Sequence, residues 1–218
     1  MTNLQLQLRF EQRLQNHINK TLDIRTIDTE FYLNEGLRRY VEEWYSQYET
    51  SEAARKRLGP LVVSTTVVSA GNGTFPLGTL YNLPADCKYV VQERATTALQ
   101  NCHNAPSVKT GVTVKPVKLD YYNFHIDNPF KKPYNDLIWR IDSGSRQHEL
   151  IRGSDTTSIT IYYITYIKNP AAITLLSGTP ATSSCEILAE YHEEIVDKAI
   201  DVAIEAFKLT NSFQTSKS

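Results

Sequence analysis

The chain contains no run of about 18 apolar residues, so no transmembrane helix is expected. Its first residues, Met1-Thr2-Asn3-Leu4-Gln5, carry neither a basic stretch nor an apolar one, so no secretory signal is expected either. Cysteine is scarce: Cys87, Cys102 and Cys185 are scattered, odd in number and form no C-x-x-C pair. That pattern argues against a disulfide framework and for reduced thiols in a cytoplasmic product. Excess charge of one sign is also missing. Lys and Arg number 23 against 24 Asp and Glu, a net charge of -1, which excludes a nucleic-acid binder that works through bulk positive charge.

What is present is an ordinary globular composition, 41% hydrophobic and 22% charged, over 218 residues. That length makes one large domain or two small ones and is long enough for a core without staples. Tyrosine exceeds phenylalanine, 13 to 7, and tyrosine suits half-wet surfaces and interfaces.

The first sixty residues read as helical. Leu4, Leu8, Phe10, Leu14 and Ile18 mark one face of a helix from Asn3 to Asn19. A second helix starts near Asp28 or Thr29 and carries Phe31, Leu33, Leu37, Tyr40, Val41, Trp44, Tyr45 and Tyr48 at spacings of three and four. A third, Ser51 to Leu58, is capped by Thr50 or Ser51 and stopped by Gly59-Pro60. From Leu61 the composition turns β-branched. Strands are expected at 61–68, at 75–83 as an edge containing Pro76, at 88–99, at 108–119 and, most strongly, at 158–167. Asn72-Gly73 is a hairpin turn signal, and a short helix is expected from Asp120 to Ile126. Cys185 to Lys208 reads as a last helix with two apolar stripes, which suggests burial on more than one side, and the tail from Asn211 is polar. Residues 186–208 hold seven acidic and two basic side chains. That is either a solvated face or one that meets a basic surface.

The fold class expected is therefore α+β. Its domains are a helical part at 1–60, a β-rich part at 61–185, and a C-terminal helix and tail at 186–218 that completes a helical bundle. The central part is expected to be an antiparallel β-sandwich or barrel-like domain.

Catalytic and metal patterns fall short. His192-Glu193 opens like H-E-x-x-H, but Val196 stands where the second zinc-binding His belongs. His17, His103, His125 and His148 lie apart, and Cys102-His103 would point to opposite faces of a strand. Gly71-Asn72-Gly73-Thr74 lacks the spacing and the Lys of a phosphate loop, and no G-x-S-x-G elbow occurs. No enzyme and no cofactor are expected. The best local feature is the proline-bracketed loop Pro129, Phe130, Lys131, Lys132 and Pro133, a candidate docking loop facing either a neighbouring subunit or DNA. Tyr191, Ile195 and Ile200 are candidates for helix packing or a subunit interface.

Several segments, in order, resemble a known pattern. Leu33-Asn34-Glu35-Gly36-Leu37-Arg38-Arg39-Tyr40-Val41 resembles a helix of virion proteins from crAss-like and related Bacteroidales phages. Gly36 stands where that pattern has Ala, at a cost in helix propensity. The exit Leu58-Gly59-Pro60-Leu61, the step Leu83-Pro84-Ala85-Asp86, the loop Asn128 to Pro133, the strand end Tyr166-Ile167-Lys168-Asn169-Pro170 and the helix His192 to Ala199 extend the likeness. Such proteins look like head–tail connector or neck ring components. The resemblance implies a non-enzymatic virion protein, in the host cytoplasm during assembly, that forms a ring of about twelve copies around a channel for double-stranded DNA. Its implied partners are other copies of itself, the portal protein and neighbouring neck or tail ring proteins, with no membrane. Near-zero net charge suits a channel that lets DNA slide. The rival reading is a tail-hub or tail-fibre-associated β-sandwich binding module.

Overall fold

The computed structural model describes residues 1–18, 24–100, 107–144, 146–175 and 184–215, the last seven by backbone alone. Cys102 and His103 lie outside the described residues. The chain forms two compact units: a helical one, residues 1–61 with 170–218, and a sheet unit, residues 62–169.

The helical unit holds α1 (Asn3–Ile18), α2 (Thr26–Ser46), α3 (Glu52–Leu58) and α5 (His192–Thr215). Ser51 caps α3 by accepting a hydrogen bond from the Ala54 N–H, which satisfies one of the orphan donors at a helix start. α2 packs along α5, and α1 lies against both. The face of α1 differs from the expected one. Leu6, Phe10 and Leu14 are fully buried, while Leu4 and Leu8 stay about half exposed. The helix carries two apolar stripes, and its partners select the one centred on Phe10, which stacks on Tyr32 of α2 with ring centroids 6.0 Å apart.

The last helix also differs from the expected one. α5 begins only at His192, after a single 3-10 turn at Ala189–Tyr191, and runs on to Thr215. Its wide apolar face, with Ile195, Val196, Ala199, Ile200, Val202 and Ala203 all buried, is consumed within the helical unit itself. The acidic excess finds partners there too. Arg13 pairs with Glu193 at 2.5 Å and also with Asp197, Arg57 pairs with Glu194, and Arg39 with Glu205 at 2.9 Å.

The sheet unit contains β1 (Val62–Val67), β2 (Ser69–Asn72), β3 (Gly78–Asn82), β4 (Cys87–Leu99), β5 (Ser107–Pro116), β6 (Leu137–Asp142), β7 (Gln147–Ile151) and β8 (Thr157–Lys168), with α4 (Leu119–His125) between β5 and β6. They form one sheet in the order β1-β8-β4-β5-β6-β7-β3-β2. Where an antiparallel sandwich or barrel-like domain is expected, the structure has one curled sheet, and it is mixed because β5 and β6 run parallel. Parallel neighbours need a long crossover, and the stretch carrying α4 supplies it. β3 is paired on both sides and begins after Pro76, so the proline sits outside the ladder and not on an edge strand.

The sheet must curl. β1 and β2 stand at its two ends yet are separated in the chain by Val68 alone. Laid flat, eight strands would place those ends about 34 Å apart. One intervening residue spans at most about 7 Å. Chain connectivity therefore draws the two ends together. The inner surface of the curl holds Val67, Tyr81, Ala95, Val112, Val114, Ile138, Leu150, Tyr162, Ile164 and Tyr166. On the other side of β6 and β7, α4 lays Tyr122 over Trp139, Ile141 and Ile151.

Candidate functional site

Three places in the molecule concentrate chemistry. The first is a charged network inside the curled sheet. Alternation along β6, β7 and β8 sends Arg140, His148 and Tyr162 to the same inner face, where Glu93 of β4 meets them. Arg140 Nη1 donates to Glu93 Oε2 at 2.6 Å, and the Tyr162 hydroxyl donates to the other carboxylate oxygen. Tyr162 has a single hydrogen and Glu93 accepts it. His148 Nδ1, 2.7 Å from the Tyr162 oxygen, is therefore the donor of that contact. Asp142, mostly exposed, closes the set 3.2 Å from Arg140 Nε and 3.4 Å from His148 Nε2.

Burial, then the Arg140 charge, pushes His148 down to about 4, while burial and the Glu93 carboxylate hold the Tyr162 phenol well above its usual range. A histidine held neutral in the fold and free to protonate when unfolded stabilises the fold above pH 6.5. That contribution is lost as pH falls toward 4 and amounts to about 3 kcal/mol. Urea unfolding at pH 7, 5 and 4 is expected to show this loss, and the acid slope is expected to shrink in His148→Gln. Equal slopes in the two proteins would mean that His148 is not held neutral.

The second place is a cation–π stack in the helical unit. The Arg57 guanidinium lies 4.0 Å from the Trp44 ring centroid and 4.4 Å from that of Tyr191. It ties α3 to α2 and to the turn before α5, and its charge is met by Glu194. Tyr191 thus sits on the surface of its own unit as half of a stack, whereas Ile195 and Ile200 are buried. His192 has a structural post: its Nε2 lies 2.7 Å from the Ile187 carbonyl oxygen.

The third place is the surface formed by α4 and the loop after it. Asn128 organises that loop. Its side-chain oxygen accepts from the Phe130 N–H at 3.0 Å, and its carbonyl accepts from the N–H groups of Lys131 and Lys132 at 3.1 and 2.9 Å. Pro133 is buried and anchors the far end beside Gly153, where an added Cβ would lie 2.8 Å from the Pro133 carbonyl carbon and from Tyr134 Cα. Pro129, Phe130, Lys131 and Lys132 all remain exposed, Phe130 at 95%. α4 adds Phe124 at 82%, because Tyr122 on its other side takes the place over Trp139. Sequence reasoning named the loop but missed Phe124. The signal was there: the aromatics of α4 cannot all face one way at helical spacing.

Among the described residues, Lys118, Lys131 and Lys132 make no ion pair, and Lys115 lies over the Tyr121 ring at 4.9 Å. No three His, Cys, Asp or Glu side chains gather at metal-binding geometry among the described residues. No described helix is long and apolar enough to cross a membrane.

Comparison with known proteins matches residues 26–215 to a family described as phage tail ring protein 3/4. Ring protein 4/5 of Bacteroides phage crAss001 is 29% identical over 143 residues, covering 59% of this chain and 56% of that protein. Ring protein 3 of the same phage is 26% identical over 182 residues, covering 80% of this chain and 71% of that protein. The chain thus spans little more than half the length of the first of these relatives.

Proposed function

Because the chain belongs to the phage tail ring protein 3/4 family, we propose that it is a structural component of the virion neck or tail that assembles into a closed ring. The observation that carries this reading is the extent of the match. It runs from α2 through every strand to the end of α5 and so takes in both units. The finer reading is a connector of about a dozen copies joined head to tail, stacked between portal and tail around the path of double-stranded DNA. The portal protein and neighbouring ring proteins are its partners. The loop Pro129–Pro133 is its docking element, and Tyr191, Ile195 and Ile200 hold the helical unit in shape beneath such contacts. A net charge of -1 fits a wall that DNA slides past, because each added phosphate contact would hold it back.

Electron microscopy of particles from the phage that encodes this chain tests the proposal. The expected result is a closed ring of this protein in the neck. Density at a fibre or at the tail tip would favour the binding-module reading instead. Absence from the particle would overturn the ring altogether.

A further inference from the structure

The two units carry opposite charge. The helical unit has 12 basic and 16 acidic side chains, a net of -4, and the sheet unit has 11 and 8, a net of +3. Their surfaces differ further. In the helical unit the cations are largely spent on its own carboxylates: Arg9 and Arg13 on Glu193, Arg38 on Glu35 and Glu42, Arg39 on Glu205, Lys198 on Glu43. Glu49 and Glu52, at the turn between α2 and α3, are exposed and make no ion pair among the described residues. In the sheet unit cations are in excess, and the stretch 118–133 that carries the two most exposed phenylalanines, Phe124 and Phe130, holds Lys118, Lys131 and Lys132 against Asp120 and Asp127.

We infer that the surface made by α4 and the Asn128–Pro133 turn docks on the acidic helical unit of a second copy of this chain. The inference rests on the ring reading and assigns its contact. Two exposed aromatic anchors on a surface where unpaired lysines outnumber carboxylates suit a protein interface, with an apolar centre and a charged rim. Duplex DNA would use the lysines and leave Phe124 and Phe130 in water. The sign of the two units then selects the geometry. Sheet unit against sheet unit, or helical unit against helical unit, brings like charges together, whereas sheet unit against helical unit brings opposite charges together. A contact between two different surfaces of one chain is heterologous, and heterologous contacts close into rings when the rotation is right. The turn is suited to the task because Asn128 and the buried Pro133 hold it in place before contact, so little ordering remains to be done on docking.

The test is zero-length carbodiimide cross-linking, which joins a lysine to a carboxylate in contact with it, on purified particles and on the dilute purified chain. Peptides containing Lys118, Lys131 or Lys132 are expected to be joined to peptides from residues 1–61 or 170–218 in particles and not in the dilute chain. Joins to residues 62–169, or to a different virion protein, would overturn the inference while leaving the ring intact. So would lysines that acetylate equally in both samples, or that are protected only while DNA fills the particle. A particle lacking the protein would overturn the ring reading and this contact with it. In the purified chain, Phe130→Ser and the pair Lys131→Glu with Lys132→Glu are each expected to weaken self-association by about tenfold or more. Their melting temperatures should stay unchanged, because these side chains are exposed and support nothing in their own unit. Self-association at wild-type strength in both variants would also overturn the contact.

Discussion

Replacing Arg140 by methionine is expected to lower the stability of the sheet unit by about 3 to 5 kcal/mol, the usual cost of leaving one member of a buried ion pair without its partner. Methionine fills much of the arginine's volume but cannot meet the Glu93 carboxylate, whose side chain is only 9% exposed. Glu93 would keep the Tyr162 hydroxyl as its hydrogen-bond donor, and its charge would sit beside the neutral His148 in a curl lined mainly by apolar side chains. The neutral counterpart makes the test specific. With Glu93→Leu added to Arg140→Met, the unpaired charge disappears, and much of the loss is expected to return even though two native contacts are gone. The molecule supplies its own reporter. Its two tryptophans fall one in each unit, Trp44 in the helical and Trp139 in the sheet unit, and Trp139 is fully buried beside Arg140. In a Trp44→Phe background, urea unfolding followed by Trp139 fluorescence reads the sheet unit alone. A midpoint for Arg140→Met within experimental error of its parent would show that water reaches the network freely and that the pair adds nothing.

Replacing Gly36 by valine is expected to cost the helical unit about 3 kcal/mol or more, through overpacking where α2 meets the backbone of α5. A Cβ at this position would lie 2.7 Å from the Ala199 nitrogen and 2.8 Å from both Ala199 Cβ and the Ile195 carbonyl oxygen. Two of those three atoms are backbone, so the helices themselves must separate. The informative variant is Gly36→Ala. Helix propensity alone favours alanine by about 1 kcal/mol. The packing opposes it, and packing is expected to win, leaving Gly36→Ala less stable than the parent. Ala199→Gly combined with Gly36→Ala should recover part of the loss, because it removes one of the three clashing atoms. Thermal unfolding read at Trp44, which lies on α2, decides the matter. A higher melting temperature in Gly36→Ala would mean that the two helices have slack between them.

Gly36 also shows how sequence and structure divide the information. In the sequence it is visible only as a propensity penalty, an odd residue in an otherwise regular helix. Its purpose depends on Ala199, 163 positions away in the chain, and no local pattern carries that pairing. Glu149 is a second case. In sequence it is one carboxylate in an apolar strand. In the structure it is fully buried, accepts the Phe75 N–H at 2.7 Å, and occupies space left by the missing side chains of Gly73 and Gly78. The Asn72-Gly73 signal read as a hairpin turn was thus also the seat of a buried carboxylate.

The sequence by itself determined the element types, the helical ends and the β-branched middle. Those depend on periodicity, capping and punctuation, which act over a few residues. It also carried the family, through ordered short motifs, and marked out the loop proposed for docking, through its proline brackets. Tertiary structure alone decided which stripe of α1 is buried, because both stripes are apolar and only the partner helices distinguish them. It decided that β5 and β6 run parallel and that the sheet curls until Val68 joins its two ends, since strand order is a matter of long-range pairing. It brought Glu93, Arg140, His148 and Tyr162 from four strands into one buried network. Finally, it separated the charges already paired within their own unit from those that are not. That distinction depends on which charges lie within a few ångströms of one another, and it is the one on which the proposed ring contact turns.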